Sequence, residues 1–344
     1  MEVPYGAGSF CNRLDGVLGV IGGYNMYKNS KISFDTRKYD VDEAFRRYQS
    51  GILIFYKKRS IAGKRRSKVT REVLEALLKG IPLPPVYTSE LQTGELLVLD
   101  KSDRLRFLME FLEFAYGKDQ TESKTVQSKY FAEIKDMYSD WINDIFYAPI
   151  VLHVIDYINP KYVHMQVGAF IEEWSVTQEQ SVRNVLYQKA GAQALERMLE
   201  DIHDSPRSEL MVQYQFLYFM MVIFMTYEVF DYAVYRNADK FQLLEETMHL
   251  LQNDSGKHVR NLCEKFKILY ALFNERKIGN RWVLQLSPEL TTKYICFMGA
   301  WQNIRGNNFE EVYENKKIKT LIMDCDMGFQ GISKLLEYFR EGHL

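Results

Sequence analysis

The densest chemistry in this 344-residue chain is a cationic segment. Between Lys57 and Arg71 stand Lys57, Lys58, Arg59, Lys64, Arg65, Arg66, Lys68 and Arg71, with no carboxylate among them. The whole chain carries 44 Lys and Arg against 45 Asp and Glu, so the remainder is acidic and the positive charge is local. Such a segment can hold a few phosphates by Coulomb attraction and by the bidentate fork of arginine, but it is no general polyanion surface. The plainer reading of a charge run is a solvated face. Other chemistries lack their residues. His153, His164, His203, His249, His258 and His343 include no pair at metal-ligand spacing with a carboxylate between. Cys11, Cys263, Cys296 and Cys325 form no C-x-x-C, which argues against a zinc ribbon or a thioredoxin-like site and for a reducing cytoplasm. No nucleophile elbow is present. Gly16, Gly19, Gly22 and Gly23 lack a following G-K-[ST] and the dinucleotide spacing, so they read as a turn-rich segment and not as a phosphate loop.

The elements that must position the cations follow from periodicity. Tyr39, Val41, Ala44, Phe45 and Tyr48 have helical spacing that stops at Gly51. Ile52 to Tyr56 is a short apolar strand, followed by the basic loop. Val73, Leu74, Leu77 and Leu78 predict a helix over Val69 to Lys79, with Gly80 at its cap. Proline cannot sit inside a helix, so Pro84-Pro85-Val86-Tyr87 leads into a strand. Gln92 to Glu95 is a hairpin-like turn, Leu96 to Leu99 a second buried strand ending at Asp100, and Leu105 to Phe114 a helix. A helix over Val126 to Phe146 and an apolar run over Pro149 to Tyr157 follow, and then only helices. The expected organisation is an extension over 1–37, a mixed domain over 38–158 and a helical domain over 159–344.

Leu210 to Tyr227 is uncharged and reaches the lower length limit of a membrane span. Gln213, Gln215 and Thr226 lie within it and no Lys/Arg cluster flanks it, so a buried core helix is expected and no membrane association. Met1 to Gly8 contains Glu2 and nothing of signal-peptide type, so a cytoplasmic location is the expectation.

One constellation rises above this background. Y-D-V-D-E-A-F, then S-G-I-L-I-F-Y-K-K-R, then L-L-K-G-I-P-L-P-P-V-Y, then G-E-L-L-V-L-D-K-S-D-R-L run in order from Tyr39, and E-Q-S-V-R-N-V-L follows from Glu179. This series resembles the N-terminal domain family of GmrSD-type modification-dependent restriction systems, whose fold is similar to the ParB and sulfiredoxin-like folds. The most specific stretch is Leu77 to Tyr87, and the match covers about a third of the chain. The resemblance implies an α+β protein in which a ParB/sulfiredoxin-like mixed domain precedes an all-α helical domain, working in bacterial defence against foreign DNA. It also implies a nucleoside triphosphate with Mg as cofactor.

Carried over residue by residue, the resemblance names Lys58, Arg59, Lys101, Arg104 and Arg183 as phosphate-binding, and Asp100 with Arg104 as catalytic if the protein is active. No metal ligands are assigned. The family motifs are eroded here. The family's Q-R reads Lys58-Arg59, and its D-G-Q-Q-R reads Asp100-Lys101-Ser102-Asp103-Arg104, which loses the glycine that permits close phosphate approach and both amides. Asp103 would repel an incoming phosphate. A third element is replaced by Ile171-Glu172-Glu173-Trp174-Ser175-Val176. Phosphate affinity with little or no turnover is the expectation. The alternatives are an active NTPase subunit and a non-catalytic scaffold that binds a protein partner or itself. No nuclease is expected within the chain, because Asp201 to Leu344 holds no His-Asn-His-like grouping. For Asp100 and Arg104 the plain structural reading is a strand-end acid capping the next helix and an arginine in its first turn.

Overall fold

The computed structural model describes residues 32–56, 63–99, 103–116, 126–187, 195, 199, 209–253, 257–275, 277–278, 281–282, 287–306 and 315–342. The chain divides into two compact units, with Ile32–Leu186 forming one and Tyr187–Leu344 belonging to the other. The sequence places a boundary after residue 158, but two further helices go with the sheet.

The first unit is built on a five-stranded sheet of order β1-β5-β3-β4-β2: β1 Phe34–Asp40, β2 Leu53–Phe55, β3 Val86–Glu90, β4 Leu96–Val98 and β5 Pro149–Ile155. β3 and β4 form the antiparallel hairpin expected around Gly94, whose φ of 91° suits glycine. β2 lies parallel to β4, and β5 parallel to β3 and antiparallel to β1. Strand β1 corrects two expectations. It lies mostly in the stretch read as an extension, and it takes Tyr39 out of the predicted helix. Four charges in its seven residues hid it from an apolar-pattern reading.

Asp40 ends β1 and caps α1 (Val41–Gln49), its carboxylate accepting from the Glu43 backbone N–H at 2.7 Å. Asp42 and Glu43 in the first turn and Arg46 and Arg47 in the last suit the helix dipole. Helix α2 is Gly63–Leu78, so the second half of the basic segment is helical, not loop. Helix α3 is Arg104–Tyr116 and α4 is Val126–Tyr138; a 3₁₀ turn at Ser139–Trp141 separates α4 from α5, Ile142–Phe146. These helices bury Phe45, Leu74, Leu108, Phe111, Ile134 and Ile145 against Leu53, Val86, Leu96, Val98, Leu152 and Val154 of the sheet. Helix α6 (Lys161–Glu172) meets the other face. Its His164 Nδ1 lies 2.6 Å from the hydroxyl of Ser89, and Nε2 is 3.2 Å from the Asn159 carbonyl. A carbonyl only accepts, so Nε2 carries the proton and the buried Ser89 hydroxyl donates to Nδ1. Helix α7, Val176–Leu186, closes the unit.

The second unit is helical: α8 Glu209–Thr226, α9 Tyr232–Tyr235, α10 Lys240–Asn253, α11 Lys257–Glu275, α12 Pro288–Arg305, α13 Lys316–Asp324 and α14 Phe329–Glu341. A two-residue hairpin, β6 Lys277–Ile278 with β7 Arg281–Trp282, interrupts it, so the unit is not all-α. Helix α8 is long and apolar enough to cross a membrane, and 78% of it is buried in the protein. It stops at Thr226, and Glu228 just beyond turns left-handed with φ 56°. Phe216 and Phe219 pack on Phe266 of α11, and α12 comes close enough that a Cβ on Gly299 would sit 2.5 Å from the Phe219 ring. Arg305 caps α14 by donating to the Phe339 and Arg340 carbonyls at 2.7 and 2.6 Å.

Candidate functional site

Two neighbouring strands of the first unit finish side by side. Parallel pairing sets Phe55 opposite Val98, so β2 and β4 reach the same end of the sheet together. Each then leads into a helix: β2 through the basic segment into α2, and β4 through the D-K-S-D-R segment into α3. Both helices therefore begin at that end, where the positive poles of their dipoles lie. The carboxyl end of parallel strands, where helix N-termini gather, is the general location of anion sites in α/β sheets.

The N-terminal halves of α2 and α3 are joined by charge. Arg66 of α2 and Arg106 of α3 converge on Glu110 of α3, with N···O distances of 3.3 and 2.9 Å, and the Arg66 guanidinium lies 5.2 Å from the Phe107 ring centroid. All three charges are largely buried, and two guanidinium groups to one carboxylate leave the cluster net cationic. Burial and the carboxylates of Glu110 and Glu113 push the Tyr48 phenol above its ordinary range.

Across this sheet end lies the α6–α7 corner. Helix α6 ends where Glu173 turns left-handed (φ 43°), and Trp174 folds back onto Gly168, where no Cβ could fit: it would stand 2.0 Å from the indole. The Trp174 indole N–H donates to the carbonyl of Leu99, the residue before Asp100, at 3.4 Å. One turn on, the Gln178 amide donates to the Tyr56 hydroxyl at 3.2 Å, and Tyr56 immediately precedes the basic segment. The α6–α7 segment thus touches both strand ends. Helix α7 buries a row of polar groups, Glu179, Gln180, Ser181 and Arg183. Arg183 is 1% exposed and pairs with Glu179 four residues earlier, while Gln180 donates to Asn184. Burying a guanidinium is costly without an acid partner, and Glu179 supplies it.

Of the sequence-named residues, Lys58, Arg59, Asp100 and Lys101 lie outside the described residues. Arg104 is exposed at the first position of α3, and Arg183 is buried in α7. Between Asp100 and Arg104 the backbone is special at Asp103, which is buried and left-handed at φ 59°; its carbonyl accepts from the Phe107 N–H at 2.8 Å to start α3. Aspartate is one of the few side chains that visits this region.

Comparison of the chain with protein-family models, with curated proteins and with solved structures finds no match. The site therefore rests on geometry. Among the described residues no three His, Cys, Asp or Glu side chains group to hold a metal ion. Sequence reasoning missed Tyr56, Trp174, Gln178 and the Arg66–Glu110–Arg106 cluster. The i, i+4 spacing of Glu179 with Arg183 and of Arg106 with Glu110 was a visible signal; the folding of Trp174 onto Gly168 left none.

Proposed function

We propose that the Ile32–Leu186 unit binds a phosphate-bearing ligand, a nucleotide or a nucleic-acid backbone, where β2 and β4 end, with little or no turnover. In this reading the chain is a degenerate protein of the GmrSD N-terminal type with a ParB/sulfiredoxin-like first unit, acting in bacterial defence. The observation that carries it is the adjacency of two strand-to-helix junctions, both tied to the α6–α7 segment through Trp174–Leu99 and Gln178–Tyr56. Adjacent junctions would bring the Lys58-Arg59 segment and Arg104 to one end of the sheet, where two helix N-termini add to their field. Arg183, already neutralised by Glu179, would act by holding α7 in place. A nucleoside triphosphate would bring Mg²⁺, which binds chiefly through phosphates and one or two carboxylates, and Asp100 is the acid placed by sequence to meet it.

The test is calorimetric titration of the full chain with ATP, GTP and a short DNA duplex, each with and without Mg²⁺. Binding that weakens at least tenfold in Arg59→Ala and Arg104→Ala is expected. No heat with any of the three in a folded sample removes the proposal. Phosphate release above a blank, abolished by Asp100→Ala, would replace it with an active NTPase.

A further inference from the structure

Strand β1 is an edge strand, and among the described residues its outer side has no strand partner. Its inner side is fixed by bonds at odd positions: Asp156 N–H donates to the Ser33 carbonyl and Val41 N–H to the Ala148 carbonyl, at the two ends of the β1–β5 register. Hydrogen-bonded pairs alternate with non-bonded ones in an antiparallel ladder, so the N–H and C=O groups of Phe34, Thr36, Lys38 and Asp40 point outward. An open edge of this length is a template for another strand.

The charges on β1 select which strand fits. Its sequence is F-D-T-R-K-Y-D. Pairing with a second copy about a two-fold axis through the strand admits only a few centres. An axis at Asp35, Arg37 or Lys38 sets that residue against itself, like charge on like. An axis at Tyr39 leaves almost no strand before α1 begins at Val41. An axis at Thr36 sets Asp35 opposite Arg37 of the second copy and Arg37 opposite its Asp35. Asp35 and Arg37 then fall at non-hydrogen-bonded positions, where side chains approach most closely, while Thr36 and the Phe34–Lys38 pairs fall at hydrogen-bonded positions whose backbone groups already face outward. Phe34, 46% exposed, is covered by the stem of the opposing Lys38. Charges on an edge strand ordinarily prevent pairing; here they disfavour the registers centred on Asp35, Arg37 and Lys38 and suit the one centred on Thr36.

We infer that the partner of this edge is a second copy of the chain, joined β1 to β1 in antiparallel fashion about Thr36, so that two five-stranded sheets become continuous. The interface stands apart from the sheet end proposed to bind phosphate, and neither reading depends on the other.

Light scattering on the full-length protein after size exclusion, at low salt and at about 100 μM, tests it. The expected mass is that of a dimer. Asp35→Arg and Arg37→Asp each set like charges opposite one another and should give monomer, while the double variant Asp35→Arg/Arg37→Asp restores opposite pairs and should restore the dimer. Because Arg37 also pairs within the chain with Asp35 at 2.9 Å and with Glu90 at 2.8 Å, Lys38→Pro serves as an independent probe. It removes an outward N–H without touching the β1–β5 ladder, and should give a folded monomer by circular dichroism. A monomeric wild-type chain overturns the inference, as does a dimer that persists through Lys38→Pro or is not rescued by the charge exchange.

Discussion

Gly168→Ala isolates the contact that holds the α6–α7 corner over the end of β4. A Cβ at position 168 would stand 2.0 Å from Cη2 and 2.1 Å from Cζ2 of Trp174, both in a rigid ring. The indole must retreat by about 1.5 Å to reach ordinary carbon–carbon separation. Its N–H already reaches the Leu99 carbonyl at 3.4 Å, near the limit for a hydrogen bond, so a retreat of that size breaks the bond. Overpacking at about 1–3 kcal/mol and loss of one hydrogen bond at about 1 kcal/mol give a destabilisation of roughly 2–4 kcal/mol. In a Trp174→Ala background the clash partner is gone, and alanine in mid-helix is then favoured over glycine by about 0.5–1 kcal/mol. The same substitution therefore changes sign with its background. Thermal unfolding followed at 222 nm reads this as a fall of about 4–8 °C or more in the wild-type background and a small rise in Trp174→Ala. Equal effects in both backgrounds, or no effect in the first, would refute the packing argument.

Arg183→Ala should destabilise the first unit by about 3–5 kcal/mol because it takes the guanidinium away from the buried Glu179 carboxylate, and denaturant titration of Arg183→Ala, Glu179→Ala and the double variant should show the double to be less damaged than the sum. In the second unit, burial lowers the Lys265 ammonium to about 8 from 10.5. A base depressed by folding binds fewer protons folded than unfolded between about pH 8 and 10.5, so its contribution to stability rises with pH across that window. Lys265→Met removes that pH dependence along with the hydrogen bond Lys265 donates to Asn303, so the stability difference between variant and wild type should move in favour of the wild type as pH is raised from about 8 toward 10; a difference independent of pH would count against the burial assigned to this side chain.

Local signals carried much of the fold. The helix–strand order from Val41 to Phe114 and the proline-rich approach to β3 follow from backbone chemistry that proline and periodicity impose within a few residues. The turn at Gly94 has the same local origin. Elements whose residues answer to distant partners were misread. Strand β1 reads as polar chain because it is mostly exposed and is held by backbone pairing to β5, more than a hundred residues on. Arg66 reads as one more solvated cation, yet the packing of α2 on α3 turns it inward onto Glu110.

The candidate site divides in the same way. Composition and spacing by themselves determined that the cations are concentrated up to Arg71 and that an acid and an arginine flank the start of α3. Only the tertiary structure decided that β2 and β4 run parallel and end together, and that Trp174 and Gln178 tie the α6–α7 segment to both ends. It also decided that Arg183 is spent on Glu179. The physical reason is that strand pairing and helix docking are set by long-range burial, and neither leaves a mark in the spacing of the residues they bring together.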